Sequence, residues 1–138
     1  MFHNNEGHLQ SAKILLVEDD RRLLDALKTQ LAGMGCDCTC HDNASEAMVQ
    51  FAASNFDLVI TDMTMPGIDG LSVIGMIRSQ TEIPILVITG HSAEYARSII
   101  AYPNVALISK PFKLSELTAR VRSLLLKTPK PETRLKCG

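Results

Sequence analysis

Four short stretches of this chain are continuously aliphatic, and they constrain its fold more than any other feature. They are Lys13-Ile14-Leu15-Leu16-Val17, Leu58-Val59-Ile60-Thr61, Ile83-Pro84-Ile85-Leu86-Val87-Ile88 and Val105-Ala106-Leu107-Ile108. Runs this short, without polar alternation, read as strands buried on both faces, which means a parallel sheet. A fifth stretch, Cys36-Asp37-Cys38-Thr39-Cys40, alternates as an edge strand with one wet face does. Helical spacing fills the gaps. Leu23, Leu24, Leu27, Leu31 and Met34 form one apolar face, with Gly35 as a stop signal. Ala44, Ala47, Met48 and Phe51 form a second, and Asn43 stands three before Glu46 in capping-box spacing. Leu71, Ile74 and Ile77 point inward from a third, opened by Asp69 or Gly70. Ser92 caps a shorter fourth through Tyr95, Ile99 and Ile100. Leu114, Leu117, Val121, Leu124 and Leu125 make the fifth. Strand then helix, five times over, with right-handed crossovers, gives a doubly wound α/β sheet covered on both faces.

Composition narrows the class further. The 138 residues are 46% hydrophobic, enough to bury a core, and only 4% aromatic with no Trp, so that core is aliphatic. The length fits one domain, read as residues 13–127, with a polar tail at 1–12 and a second tail or linker at 128–138. A formal charge of -1 provides no broad electrostatic footprint for nucleic acid or anionic lipid. No apolar run reaches the roughly 18 residues of a membrane span. Residues 1–10 lack the apolar stretch of a secretion signal, and four cysteines bunched as Cys36, Cys38, Cys40 and a distant Cys137 are no disulfide framework. A cytoplasmic setting is the expectation.

In an open parallel sheet, ligands bind beyond the carboxyl ends of the strands. The first strand ends in Glu18-Asp19-Asp20, the third in Asp62-Met63-Thr64, the fourth in Thr89-Gly90 and the fifth in Ser109-Lys110-Pro111. Converging carboxylates repel, by about 4 kcal/mol for two unit charges 4 Å apart at an effective dielectric near 20. A divalent cation such as Mg²⁺ relieves that repulsion and leaves room for a phosphate oxygen. Lys110 adds a point charge and Thr89 a hydroxyl, so the edge suits phosphoryl transfer with a carboxylate nucleophile. Asp20 turns into the following helix and is left out of the cation set.

These stretches resemble the receiver domain of two-component response regulators. The resemblance rests on Ile-Leu-Leu-Val-Glu18-Asp19-Asp20, Leu-Val-Ile-Thr-Asp62-Met-Thr-Met-Pro-Gly, Ile-Leu-Val-Ile-Thr89 and Ile-Ser-Lys110-Pro-Phe, in that order. It implies a flavodoxin-like fold of five parallel strands in the order 2-1-3-4-5. It implies that Asp62 takes phosphate from a histidine kinase or histidine phosphotransfer protein. Glu18, Asp19, Asp62 and the backbone carbonyl of Thr64 would hold Mg²⁺. Thr89 would be the switch hydroxyl, and Lys110, before a cis proline bond, the phosphoryl clamp. The domain would regulate a partner or an attached output domain, with no membrane or nucleic acid of its own to bind. It would be a regulatory phosphoacceptor rather than an enzyme, with self-phosphorylation and autodephosphorylation as its intrinsic chemistry.

Departures from the family pattern lie further along. Leu107 stands where relatives carry an aromatic, and Val105 and Ala106 stand where an acidic partner for Arg120 and Arg122 is usual. A strong dimer through the last two helices is therefore not expected. Two other functions suit the sheet less well. A haloacid-dehalogenase-like phosphatase has a second Asp where this chain has Thr64, and an FMN carrier needs a phosphate loop where this chain has three acids. The Cys36-x-Cys38-x-Cys40-His41 row puts its thiols on one face of a strand, which suits burial better than tetrahedral zinc. His3 and His8 fall in the tail, while His91, two after Thr89, borders the site.

Overall fold

The computed structural model describes residues 9–65, 69–99 and 101–127. Ile100, the Pro66-Gly67 turn, His3, His8, Cys137 and most of the two tails lie outside the described residues. The strands are β1 (Lys13–Val17), β2 (Asp37–His41), β3 (Leu58–Asp62), β4 (Ile85–Thr89) and β5 (Val105–Ser109). They form one parallel sheet in the order β2-β1-β3-β4-β5. The helices are α1 (Arg21–Gly33), α2 (Ala44–Ala53), α3 (Gly70–Arg78), α4 (Ser92–Ile99) and α5 (Leu114–Lys127).

The two-residue period of a strand splits the core in two. Ile14 and Leu16 of β1 face Leu24, Leu27 and Leu31 of α1 and Leu117, Val121 and Leu125 of α5. Leu15 and Val17 face the other way, toward α2, α3 and α4. Both sides of β1, β3 and β4 are thus apolar, which is why their sequences do not alternate. The cysteine row follows the same logic. Cys36, Cys38 and Cys40 all pack on the α1 side, Cys36 buried and the other two half-buried.

Some boundaries differ from the sequence reading. Ile83 and Pro84 precede β4, because proline has no N–H for the ladder. The Pro84 carbonyl still accepts from Val59 N at 3.1 Å. Ser92 is the first residue of α4 and not its cap. The His91 carbonyl holds that place, accepting from Glu94 N at 3.1 Å. In α3 Val73 is buried and Leu71 only half-buried, a shift of the inward face that five apolar residues in nine left open. Leu9 and Ala12, ahead of β1, are buried in the core.

Two glycines are required by geometry. Gly35 ends α1 with φ +88°, where a side chain is strained. At Gly70 an added Cβ would lie 2.6 Å from the Met63 carbonyl oxygen, so only glycine lets α3 start this close to the end of β3.

At the opposite end of the sheet, one guanidinium joins three segments. Arg78 donates through Nη1 to the carbonyl of Thr81 (2.8 Å), through Nη2 to Ile83 (2.8 Å) and Asn104 (3.1 Å), and through Nε to Pro103 (3.0 Å). Replacing it with Ala should cost about 2–4 kcal/mol, since several carbonyls lose a charged donor together. Lys should recover little, having no planar fork. Urea unfolding of wild type, Arg78→Ala and Arg78→Lys checks this, and a loss below the error of the method would contradict it.

Candidate functional site

The site forms where β1, β3, β4 and β5 end. Glu18 continues β1 by one residue, its N–H bonded to the His41 carbonyl at 3.1 Å, and this keeps its side chain fully buried. Asp20 is the N-cap of α1, its carboxylate accepting from Arg22 N (3.0 Å) and Leu23 N (3.4 Å). The cap occupies Asp20 and leaves Glu18 and Asp19 facing the edge. Asp62 closes β3 at 4% exposure. Its Oδ1 accepts from Thr64 N at 2.9 Å and its Oδ2 from Lys110 Nζ at 2.9 Å.

Glu18, Asp19 and Asp62 each offer an oxygen, and these lie within 4.8 Å of one another. Among the described residues this is the one group of His, Cys, Asp and Glu that converges in this way. Glu18 Oε2 accepts from Asp20 N at 3.0 Å. Its Oε1 is buried and accepts no hydrogen bond, although Lys110 Nζ stands 3.4 Å away. A buried carboxylate oxygen without a donor is costly unless a cation serves it. Three hard oxygen donors around that atom fit Mg²⁺.

The charges are tuned by these surroundings. Burial pushes the Glu18 carboxyl up to about 7, the Asp20 N–H pulls it down, and the nearby Asp62 charge pushes it up again. For Lys110, burial works to lower the pKa, but the hydrogen bond and charge of Asp62, with Glu18, outweigh it and hold the ammonium up. The site is thus an acidic pair neutralised in part by one lysine.

Thr89 ends β4 beside β3 and is fully buried. Its Oγ1 accepts from His91 N at 2.9 Å, and its carbonyl accepts from Lys110 N at 2.8 Å. The Lys110–Pro111 peptide is cis, as the resemblance implies. The His91 ring is 58% exposed and sits 3.6 Å from Glu94. The fold therefore gathers Glu18, Asp19, Asp62 and Lys110 directly, and places Thr64 and Thr89 at the same edge. The Asp20 cap was legible from an Asp ahead of a helical run. The His91 N–H on the Thr89 hydroxyl had no sequence signal. The thiols take no part here. Burial, then the neighbouring thiols, push Cys38 up to about 12, far from the thiolate that binds metal.

Comparison with known proteins agrees with this geometry. The profile of the response regulator receiver domain matches residues 14–122. The chain is 34% identical over 125 residues to the transcriptional activator protein PfeR of Pseudomonas aeruginosa, covering 88% of this chain and 41% of PfeR. It is 31% identical over 116 residues to the DNA-binding transcriptional regulator NtrC of Salmonella typhimurium, covering 82% of this chain and 24% of NtrC. The solved structure of the response regulator TrrA from Thermotoga maritima, in complex with Mg²⁺ and BeF, superposes with a TM-score of 0.73 at 33% identity. That match covers 82% of this chain and 98% of TrrA. The fold and its acidic edge define a receiver of two-component signal transduction. The chain belongs to the response regulator receiver domain family. It spans about a quarter to about half the length of the curated relatives it matches. Among the described residues no helix is long and apolar enough to cross a membrane.

Proposed function

We propose that Asp62 is the phosphoacceptor of this receiver and takes its phosphoryl group from a histidine kinase or a histidine phosphotransfer protein. The observation that carries the reading is the Asp62 carboxylate at the end of β3, held by Lys110 at 2.9 Å and converging with Glu18 and Asp19. An Asp62 oxygen attacks phosphorus, the phosphorus–nitrogen bond of the donor histidine breaks, and that imidazole keeps the bonding pair and takes a proton. Glu18, Asp19, Asp62 and the Thr64 backbone carbonyl would hold Mg²⁺, which when bound supplies positive charge to the transferring phosphoryl oxygens. Lys110 already pairs with Asp62 and pairs next with a phosphoryl oxygen. The Thr89 hydroxyl accepts from His91 N and keeps its own hydrogen free to donate to another. The donor would approach over the groove of about 460 Å³ formed by Asp20, Leu23, Lys110, Pro111 and Phe112, mostly apolar and open beside Lys110.

The phosphorylated domain would then bias a partner or an output domain joined to it in a longer chain, in a cytoplasmic setting. The similarity to NtrC, a DNA-binding transcriptional regulator, and PfeR, a transcriptional activator, each much longer than the matched region, supports a transcriptional output of that kind. Acetyl phosphate tests the first step without a kinase. With Mg²⁺, intact mass spectrometry should show one added phosphoryl group, and with EDTA none. Equal labelling in both would contradict the proposal.

The lifetime of the acyl phosphate should depend on Thr64 and His91. Thr64 is short and exposed, and the His91 ring lies toward Glu94, so neither blocks water from the phosphoryl group. Decay should be of intermediate rate. Thr64→Asn and His91→Ala should each change the decay rate several-fold. If neither changes it, these side chains do not control the lifetime.

A further inference from the structure

The first residue of α3 rests on the short stretch that joins Asp62 to Thr64. A Cβ at Gly70 would stand 2.6 Å from the Met63 carbonyl oxygen, 2.7 Å from its Sδ and 3.0 Å from its Cα. A carbon and an oxygen in contact keep about 3.3 Å. One methyl group here therefore requires a movement of roughly 0.7 Å, by the helix or by the Met63 backbone. The helix is the better held of the two. Val73, Ile74 and Ile77 are buried in the core. Asp69 caps the first turn, its carboxylate accepting from Leu71 N at 3.4 Å and its carbonyl from Val73 N at 3.2 Å. Met63 is fixed at its start, where its N–H donates to the Ile88 carbonyl at 2.9 Å. Beyond its Cα, the Met63–Thr64 peptide is held through Thr64 N, which donates to Asp62 Oδ1 at 2.9 Å.

We propose that Gly70 is a positioning residue for the cation site. Its missing side chain lets the Met63–Thr64 peptide lie where the Thr64 carbonyl and the Asp62 carboxylate can share one ion. The proposal rests on the reading of these two groups as Mg²⁺ ligands. A side chain at position 70 pushes the Met63 carbonyl oxygen, the peptide swings, and Thr64 N is drawn off Asp62 Oδ1. The two ligands at the end of β3 are disturbed together, while Glu18 and Asp19, which follow β1, stay in place. Mg²⁺ tolerates this poorly, because it demands a near-ideal octahedron with bonds of about 2.0–2.1 Å. Residues that hold metal ligands without touching the metal typically change affinity by about 10- to 100-fold when replaced. The other glycine of α3 differs in kind. At Gly75 a Cβ would meet only the Tyr102 hydroxyl, at 3.4 Å, which is ordinary contact.

Calorimetric titration of the metal-free chain with Mg²⁺ tests this, with circular dichroism to establish that each variant is folded. Gly70→Ala should raise the Mg²⁺ dissociation constant by at least about ten-fold. Gly75→Ala, in the same helix, should leave it unchanged. Met63→Ala added to Gly70→Ala should not restore it, since that change removes the sulfur and leaves the carbonyl oxygen in the way. The weaker binding should also appear as a smaller gain in urea resistance when Mg²⁺ is added. If Gly70→Ala unfolds in plain buffer, the titration is run in trimethylamine N-oxide, which favours the compact state. A wild type that binds no Mg²⁺ overturns the metal reading itself, and this proposal with it. A wild type that binds, with Gly70→Ala binding equally well, overturns this proposal alone, because the helix has then moved instead of the peptide. Restoration by Met63→Ala does the same, because the sulfur was then the obstacle. A variant that stays unfolded in the osmolyte overturns it too, because Gly70 then holds the fold rather than the site.

Discussion

Asp62→Asn is expected to lose phosphorylation by acetyl phosphate entirely, a fall of at least a thousand-fold in rate. The amide is isosteric, so the strand end and the hydrogen bond from Thr64 N persist. What disappears is the anionic oxygen. An amide oxygen is a poor nucleophile toward phosphorus, and in energy terms a thousand-fold loss is about 4 kcal/mol of barrier. Neighbouring carboxylates do not substitute. Glu18 is fully buried with its Oε2 engaged by Asp20 N, and Asp20 is committed to capping α1. Asp19 is exposed, but Lys110, the one cation placed to clamp a phosphoryl oxygen among these residues, pairs with Asp62 and Glu18. The Asn variant should also be more stable than wild type without Mg²⁺, because it removes one of two buried acids that repel. Persistent labelling of the Asn variant, measured by intact mass, would contradict the assignment.

The second large effect concerns pH. Glu18 titrates at about 7 in the folded chain against 4.5 in the unfolded one, so the folded state holds its proton more tightly. Below pH 4.5 both states are protonated and this group costs nothing. As pH rises toward 7 the unfolded chain gives up the proton first, and stability falls by up to about 3 kcal/mol before levelling off. Urea unfolding without metal should show that decline from about pH 5 to 7.5. Saturating Mg²⁺ should reverse it, since cation binding favours the deprotonated carboxylates. Apparent Mg²⁺ affinity should tighten over the same range. Asp19→Asn should weaken that affinity at least ten-fold, while Asp20→Asn, still a helix cap, should leave it nearly unchanged. A metal-free stability that is flat or rising across this window, or equal affinity in wild type and Asp19→Asn, would contradict the role given to these acids.

Much of this is legible in the amino-acid sequence. Strands buried on both faces cannot alternate, and the unbroken runs at residues 13–17, 58–61 and 85–88 announced a parallel sheet for that reason. The site was readable because a parallel sheet delivers its strand ends to one edge, so Glu18, Asp62 and Lys110 meet although Asp62 and Lys110 are 48 residues apart. Less was visible where tertiary contacts decide. Periodicity could not choose between Leu71 and Val73 as the inward residue of α3, since both fit a short apolar helix. Ser92 read as a cap by residue type, but a carbonyl one residue earlier took that place. Arg78 looked like a terminal helix charge, and its four carbonyl partners come from loops that only the fold brings together. Nor does any spacing rule reveal that one oxygen of Glu18 is buried without a donor.

The central claim is chemical: one carboxylate of this chain, at Asp62, becomes an acyl phosphate. Borohydride reduces an acyl phosphate to an alcohol and converts the aspartate that carried it to homoserine. The chain should be treated with acetyl phosphate and Mg²⁺, reduced, digested and sequenced by mass spectrometry. Homoserine at position 62, and at no other aspartate, is the predicted result. Homoserine at position 19 or 20 instead, or at position 62 in samples never exposed to acetyl phosphate, would contradict it.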